Sequence, residues 1–262
     1  MLPPALATLR PRSVAFALRV ALGVATLVAG LGCATPQAEH LTVAAAASLR
    51  RAMPELIEAG SALGLVITPA YGGSGTLRQQ VEAGAPIDAV VFAAAAPVNR
   101  LEQRGLLRAG TRRVVATNEL VLAAQPGPEA PTFATLVDLP PSTRIAVGDP
   151  RGVPAGQYAK EALQSLGVWD ALQPRLVFGS DVTAVVTHAR RGEAGAAIVY
   201  ATELVGLKGL TITDRAGWPG APRPQVVAAA VAAGSARASD WVAFLGTEPA
   251  QAILRRHGFG AP

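Results

Sequence analysis

The sequence predicts an α/β protein built on largely parallel sheets, because short apolar runs alternate with helix-period segments from residue 41 to near the C-terminus. Two further observations shape that expectation. Half of the 262 residues are hydrophobic and only 16% are charged, which allows a substantial core and excludes a disordered or fibrous chain. Pro-rich stretches at 125–131 and 217–224 flank the apolar runs 120–124 and 225–231, which marks those two runs as crossings between two lobes.

The chain begins with an address. Residues 1–19 are a basic leader carrying Arg10, Arg12 and Arg19, and residues 20–32 (VALGVATLVAGLG) form an uncharged apolar run followed at once by polar ATPQAEH. That run has the size of a signal-peptide core and falls short of the about 20 residues of a membrane span. Residues 1–33 are therefore read as a signal peptide. Cys33 is the only cysteine, and a lone thiol makes no internal disulfide. Behind the small Gly32 it is a candidate lipoprotein cysteine, acylated after cleavage, although Gly30 stands where such signals usually carry Leu. The alternative is ordinary cleavage after Ala34 or Ala38. Either route puts the protein in the periplasm or on the outer face of the cytoplasmic membrane, touching lipid only through Cys33.

Strands are expected at 41–46, 65–69, 89–93, 120–124, 144–147, 175–178, 196–200, 210–213 and 225–231, several of them bounded by Gly, Pro or Asp. Helices fall between them. Leu49, Met53, Leu56 and Ile57 share one helical face; Ala159, Ala162, Leu163 and Leu166 share another; Val182, Val185, Val186 and Ala189 a third. Pro54 predicts a kink or an irregular first turn in the first of these. Helices at 238–245 and 249–256 close the chain. The expected division is 40–117 for the first part of lobe 1, 118–224 for lobe 2, and 225–262 for the return hinge and C-terminal helices of lobe 1.

Charge and motif content exclude several classes. The net charge of +5 includes three leader arginines, and the remaining basic residues are scattered, the doublets Arg50-Arg51, Arg112-Arg113 and Arg190-Arg191 being the densest. Nucleic-acid binding would want a clustered stripe with interleaved aromatics. Ser74 lies in G-G-S-G, but Thr76 follows, so the hydrolase pattern G-x-S-x-G fails. His40, His188 and His257 are the only histidine bases, and each reads as a surface or structural side chain. HExxH, P-loop and G-x-G-x-x-G patterns are absent, one Cys builds no zinc site, and Tyr71, Tyr158 and Tyr200 are too few for an iron(III) cluster. Neither catalysis nor a cofactor is expected.

Four places combine a strand end, small residues and a helix start. They are Ser48 in AAAASL, Ser74 among Gly72, Gly73 and Gly75, Ala155 behind Pro154 in GVPAG, and Val182 behind the N-cap candidate Asp181. The first turn of a helix has backbone N–H groups without internal partners and carries the positive end of the helix dipole. Such a terminus holds an anion without Lys or Arg, and a cap hydroxyl adds a donor. One such feature is ordinarily just a cap or a tight turn; four converging on a point would make a neutral nest for a small dianion.

The surrounding words carry a resemblance. AAASL, S-x-TL with VEAGAPID, VGDPRGVPAGQYAKEALQSLGVWDAL, DV, AAIVY and the closing 253–259 stretch resemble the periplasmic molybdate-binding proteins of bacterial ABC importers, over about residues 41–260. The resemblance implies a type II periplasmic-binding-protein fold: two lobes, each a mixed, largely parallel sheet flanked by helices, joined by two hinge strands. It implies a molybdate site, suited also to tungstate, made by the hydroxyls of Ser48 and Ser74, the backbone amides of Ala155 and Val182, and the phenol of Tyr200, with molybdenum present only as its oxyanion. It further implies a monomer that delivers its ion to an ABC permease. Binding of another tetrahedral oxyanion (sulfate, phosphate or tungstate alone) is the alternative. Two departures stand out. The Asp that the family commonly carries beyond APxD is missing from residues 91–96, and the turn around Ser74 is richer in Gly than the usual serine run.

Overall fold

A computed structural model describes residues 38–128 and 130–262; the leader and Cys33 lie outside them. The described strands are β1 (Glu39–Ala46), β2 (Leu65–Gly72), β3 (Ala89–Phe92), β4 (Arg113–Thr117), β5 (Leu120–Ala124), β6 (Ile145–Gly148), β7 (Leu176–Gly179), β8 (Ala196–Tyr200), β9 (Thr211–Arg215) and β10 (Gln225–Ala230). They form two five-stranded sheets with the same plan, β2-β1-β3-β10-β4 and β7-β6-β8-β5-β9. Each is mixed. The pairs β1–β2, β1–β3, β6–β7 and β6–β8 are parallel, and antiparallel pairs form where β10 and β5 insert. The inner strands β3 (AVVF), β5 (LVLAA) and β8 (AAIVY) are buried along their whole length, which is why they read as unbroken apolar runs.

Helices α1 (Met53–Ala59), α2 (Ser74–Glu82), α3 (Ala95–Gln103), α4 (Pro154–Ser165), α5 (Trp169–Leu172), α6 (Val182–Arg190), α7 (Ala238–Phe244) and α8 (Glu248–Arg256) cover the sheets. Met53 and Leu56 of α1, Trp241 of α7 and Leu254 of α8 join one face of the first sheet, and Leu77 and Leu101 of α2 and α3 join the other. Leu163 and Trp169 cover one face of the second sheet; Val185 and Ala189 cover its opposite face. Burying large side chains such as these contributes roughly 1.5–3 kcal/mol each.

Two local expectations change. Residues 48–52 are not the start of a helix: Ala47–Leu49 form a 3-10 turn, and α1 begins at Met53 with Pro54 in its first turn, where the missing N–H costs nothing. Strand β4 falls outside the expected set. It is a five-residue edge strand opening on exposed Arg113, with only Val115 and Ala116 fully buried, so its apolar signal is weak.

The chain passes between the sheets at Asn118-Glu119 and again over 216–224. The runs expected to cross, 120–124 and 225–231, lie within the sheets, and each crossing falls just before one of them. The two passages run antiparallel, side by side. Gln225 pairs with Thr117, the Asn118 N–H donates to the Pro224 carbonyl at 3.0 Å, the Ala216 N–H donates to the Leu120 carbonyl at 2.9 Å, and Val121 pairs with Arg215. The Asn118 side chain bonds the Thr202 hydroxyl at 3.0 Å, and Thr117 and Gly260 exchange two backbone bonds of 3.0 Å.

Candidate functional site

The C-terminal ends of β1, β2, β6, β7 and β8 feed the turns that meet between the two sheets. Ser48, Ser74, Ala155, Val182 and Tyr200 all line one small cavity there, which leaves about 10 Å³ for the centre of a water-sized sphere. Ser48 sits in the 3-10 turn after β1; it is 6% exposed, and its Oγ has no hydrogen-bond partner among the described residues. Ser74 opens α2, with Gly73 extended at the N-cap, and its Oγ accepts the Ala93 N–H at 3.1 Å. Ala155 is the second residue of α4, whose N-cap is Val153 and whose first residue is Pro154. Val182 is the first residue of α6, and the Asp181 carboxylate caps that helix by accepting the Ala184 N–H at 2.9 Å. Tyr200 ends β8, and its buried phenol donates to the Ala93 carbonyl at 3.2 Å.

Donors dominate this wall. Among the described residues the Ala155 and Val182 N–H groups make no hydrogen bond, and their helices contribute positive dipole ends. Among the described residues no Lys, Arg or His lines the cavity. Burial holds the Tyr200 phenol far above its ordinary value, so it stays a protonated donor at neutral pH. The one carboxylate on the wall, Asp181, is engaged in its cap. Glu203 follows at the end of the turn behind Tyr200; burial pushes its carboxyl up to about 7, with Arg51 pulling it down and Asp181 adding to the rise. Such a wall favours an anion over a cation.

Ala93 belongs to the site although sequence reasoning did not select it. Its N–H meets Ser74 and its carbonyl meets Tyr200 across the cleft. It acts through backbone alone, so no residue type could signal it. Where the family-typical Asp is missing, α3 starts at Ala95 behind an extended Ala94, without a side-chain cap. The histidines lie elsewhere: His188 pairs with Glu193, His257 with Glu55 at 2.9 Å, and His40 is exposed on β1. Among the described residues no group of three or more His, Cys, Asp or Glu is placed to hold a metal ion.

Residues 41–260 match the model of the family described as bacterial extracellular solute-binding protein. The chain belongs to that family. This solute-binding protein is 35% identical to the molybdate-binding protein ModA of Escherichia coli over 74% of its own length and 78% of the relative's. It is 32% identical to the ModA of Haemophilus influenzae over 92% and 97%. Its fold matches the periplasmic molybdate-binding protein of Azotobacter vinelandii with a TM-score of 0.76 at 20% identity, covering 85% of this chain and 99% of that one. The last match speaks for the fold alone.

Proposed function

We propose that this solute-binding protein captures molybdate, and tungstate with it, in the cavity between its lobes and hands the ion to an ABC permease. One observation carries the reading: five candidate donors from two sheets line one cavity that no described Lys, Arg or His reaches, and one of them, the Ser48 hydroxyl, has no partner among the described residues. Burying an unpaired hydroxyl costs free energy, and an oxyanion would supply the acceptor.

The mechanism follows from the donors. Residues 40–117 with 225–262 form one lobe and residues 118–224 the other. Ser48 and Ser74 donate from the first, and Ala155 and Val182 from the second; the Tyr200 hydroxyl, which donates to the Ala93 carbonyl in the ligand-free structure, joins them by turning its one proton to the ion. Closure of the lobes replaces the hydration shell of the dianion by fixed donors, each charge-assisted bond contributing roughly 1.5–3 kcal/mol. Donors on every side reject a protonated oxyanion, whose O–H would face another donor. Sulfate is smaller and leaves longer bonds, whereas molybdate and tungstate are nearly the same size. The protein in this reading is a monomeric carrier without catalysis or cofactor. It works in the periplasm, or is tethered to the outer face of the membrane when Cys33 is acylated. Among the described residues no helix is long and apolar enough to cross a membrane.

Calorimetry with molybdate, tungstate, sulfate and phosphate tests the substrate. Tight binding of the first two and weak binding of the others is expected; sulfate competing as well as molybdate would sink the assignment.

A further inference from the structure

Gly73 and Gly75, on either side of Ser74, press against the backbone of the opposite lobe. The Gly75 N–H donates to the Gly152 carbonyl at 2.9 Å. A Cβ on Gly75 would lie 2.8 Å from both Gly152 Cα and Gly152 O; one on Gly73 would lie 2.9 Å from Gly152 O and 3.2 Å from Ser180 O. Ordinary contact begins near 3.4 Å. The obstructing atoms are main chain, and the turn that holds them is tied down, with the N–H groups of Gly152 and Val153 both donating to the Asp149 carbonyl, at 3.1 and 2.8 Å. Neither Gly73 nor Gly75 has a positive φ, so close approach, not backbone conformation, is what requires glycine there.

The contact also has two different sides. Inward lies the donor-lined cavity, which Gly73 borders. Outward lies a groove of about 550 Å³ that Gly75 and Gly152 border together with Arg78, Arg100, Arg151 and Lys160. Val153 and Pro154 line both spaces.

We propose that the Gly75–Gly152 backbone contact is the latch of the closed state: it partitions the ion cavity from the basic outer groove, and it forms only because Gly73 and Gly75 carry no side chain. The proposal rests on the reading that the lobes close around an oxyanion. It assigns a positioning role to two glycines that make no direct claim on the ion, and it accounts for the Gly-rich departure around Ser74. The arrangement is asymmetric in a way that a merely tight turn would not be. A Cβ on Gly152 would meet only Thr76 Oγ1, at 3.5 Å, an ordinary distance.

That asymmetry supplies the test. Gly75→Ala and Gly152→Ala are compared with the wild type by molybdate calorimetry and by small-angle scattering with and without molybdate. Alanine is the better helix former, so the ligand-free Gly75→Ala protein is expected to melt no lower than the wild type. Its dissociation constant should rise roughly 10- to 100-fold, because the closed state is strained and less populated, and its radius of gyration should stay above that of the wild type at saturating molybdate. Gly152→Ala should bind within about 3-fold of the wild type and compact normally. Equal affinity and compaction in Gly75→Ala, or an equal loss in Gly152→Ala, overturns the latch. A wild type that fails to bind molybdate sinks the substrate reading instead. The latch is then judged by the same two readouts with whichever of tungstate, sulfate or phosphate the wild type binds, where weaker binding and a larger saturated radius for Gly75→Ala support it and equal values overturn it.

Discussion

Replacing Ser48 by alanine changes two quantities in opposite directions, and the structure sets the size of each. The hydroxyl is buried in the 3-10 turn after β1 and has no hydrogen-bond partner among the described residues. A buried hydroxyl without a partner costs about 1–3 kcal/mol, and alanine removes that cost while losing a single atom of packing. Water reaches the group whenever the lobes part, which reduces the gain. The ligand-free Ser48→Ala protein should therefore be as stable as the wild type or up to about 2 kcal/mol more stable. Binding goes the other way. Loss of one charge-assisted bond to the ion, about 1.5–3 kcal/mol, raises the molybdate dissociation constant about 10- to 150-fold. Urea denaturation without ligand gives the first quantity and isothermal calorimetry the second. A variant that is less stable by a kilocalorie or more and binds molybdate unchanged would refute the reasoning, because Ser48 would then be a structural hydroxyl and not a donor held for the ion.

Other perturbations probe the neighbouring groups. Tyr200→Phe keeps the buried ring and removes the donor to Ala93; molybdate affinity should fall by about 1–3 kcal/mol in calorimetry, and unchanged affinity would remove the phenol from the site. Glu203 has its carboxyl raised from 4.5 to about 7 in the folded protein. At Glu203 the native state then binds more protons than the unfolded chain between those values, so this group's contribution to stability is fully present below pH 4.5 and is lost as pH rises to about 7. Glu203→Gln should flatten that slope and stabilise the protein at pH 8 by on the order of 2 kcal/mol, as read from denaturation midpoints across pH. Gly156→Ala should destabilise by about 3 kcal/mol or more, because its Cβ would lie 2.0 Å from the Gly148 carbonyl oxygen where α4 packs on β6; a melting temperature equal to the wild type would contradict that packing.

What the sequence made legible follows from where side-chain chemistry does the structural work. The inner strands are apolar throughout because both of their faces are covered, and 120–124 and 196–200 match β5 and β8 residue for residue. Val182, Val185, Val186 and Ala189 keep helical spacing because one face of α6 meets the sheet. Asp181 is a cap in the sequence and in the structure. The illegible parts depend on backbone or on absence. Strand β4 lies at a sheet edge, where a ladder on one side suffices and Arg113 is tolerated. Ala93 joins Ser74 to Tyr200 through its amide and carbonyl, which every residue type but proline possesses. The 3-10 turn at Ala47–Leu49 replaces a helical start because Pro54 fixes where α1 can begin. Of the five proposed donors, two act through the main chain, and only the resemblance singled out Tyr200. The structure brings the five to one cavity.

The first passage between the sheets is only Asn118-Glu119 long. Two residues reach at most about 7 Å, and the second passage is bonded alongside at Pro224 and Leu120. The halves therefore have little freedom to translate apart and are left with rotation about this doubled tether. In such a lever the arc travelled grows with distance from the pivot. A small bend at Asn118 becomes a wide swing at the far rim, and distance changes measured near Thr202 would understate how far the mouth has opened.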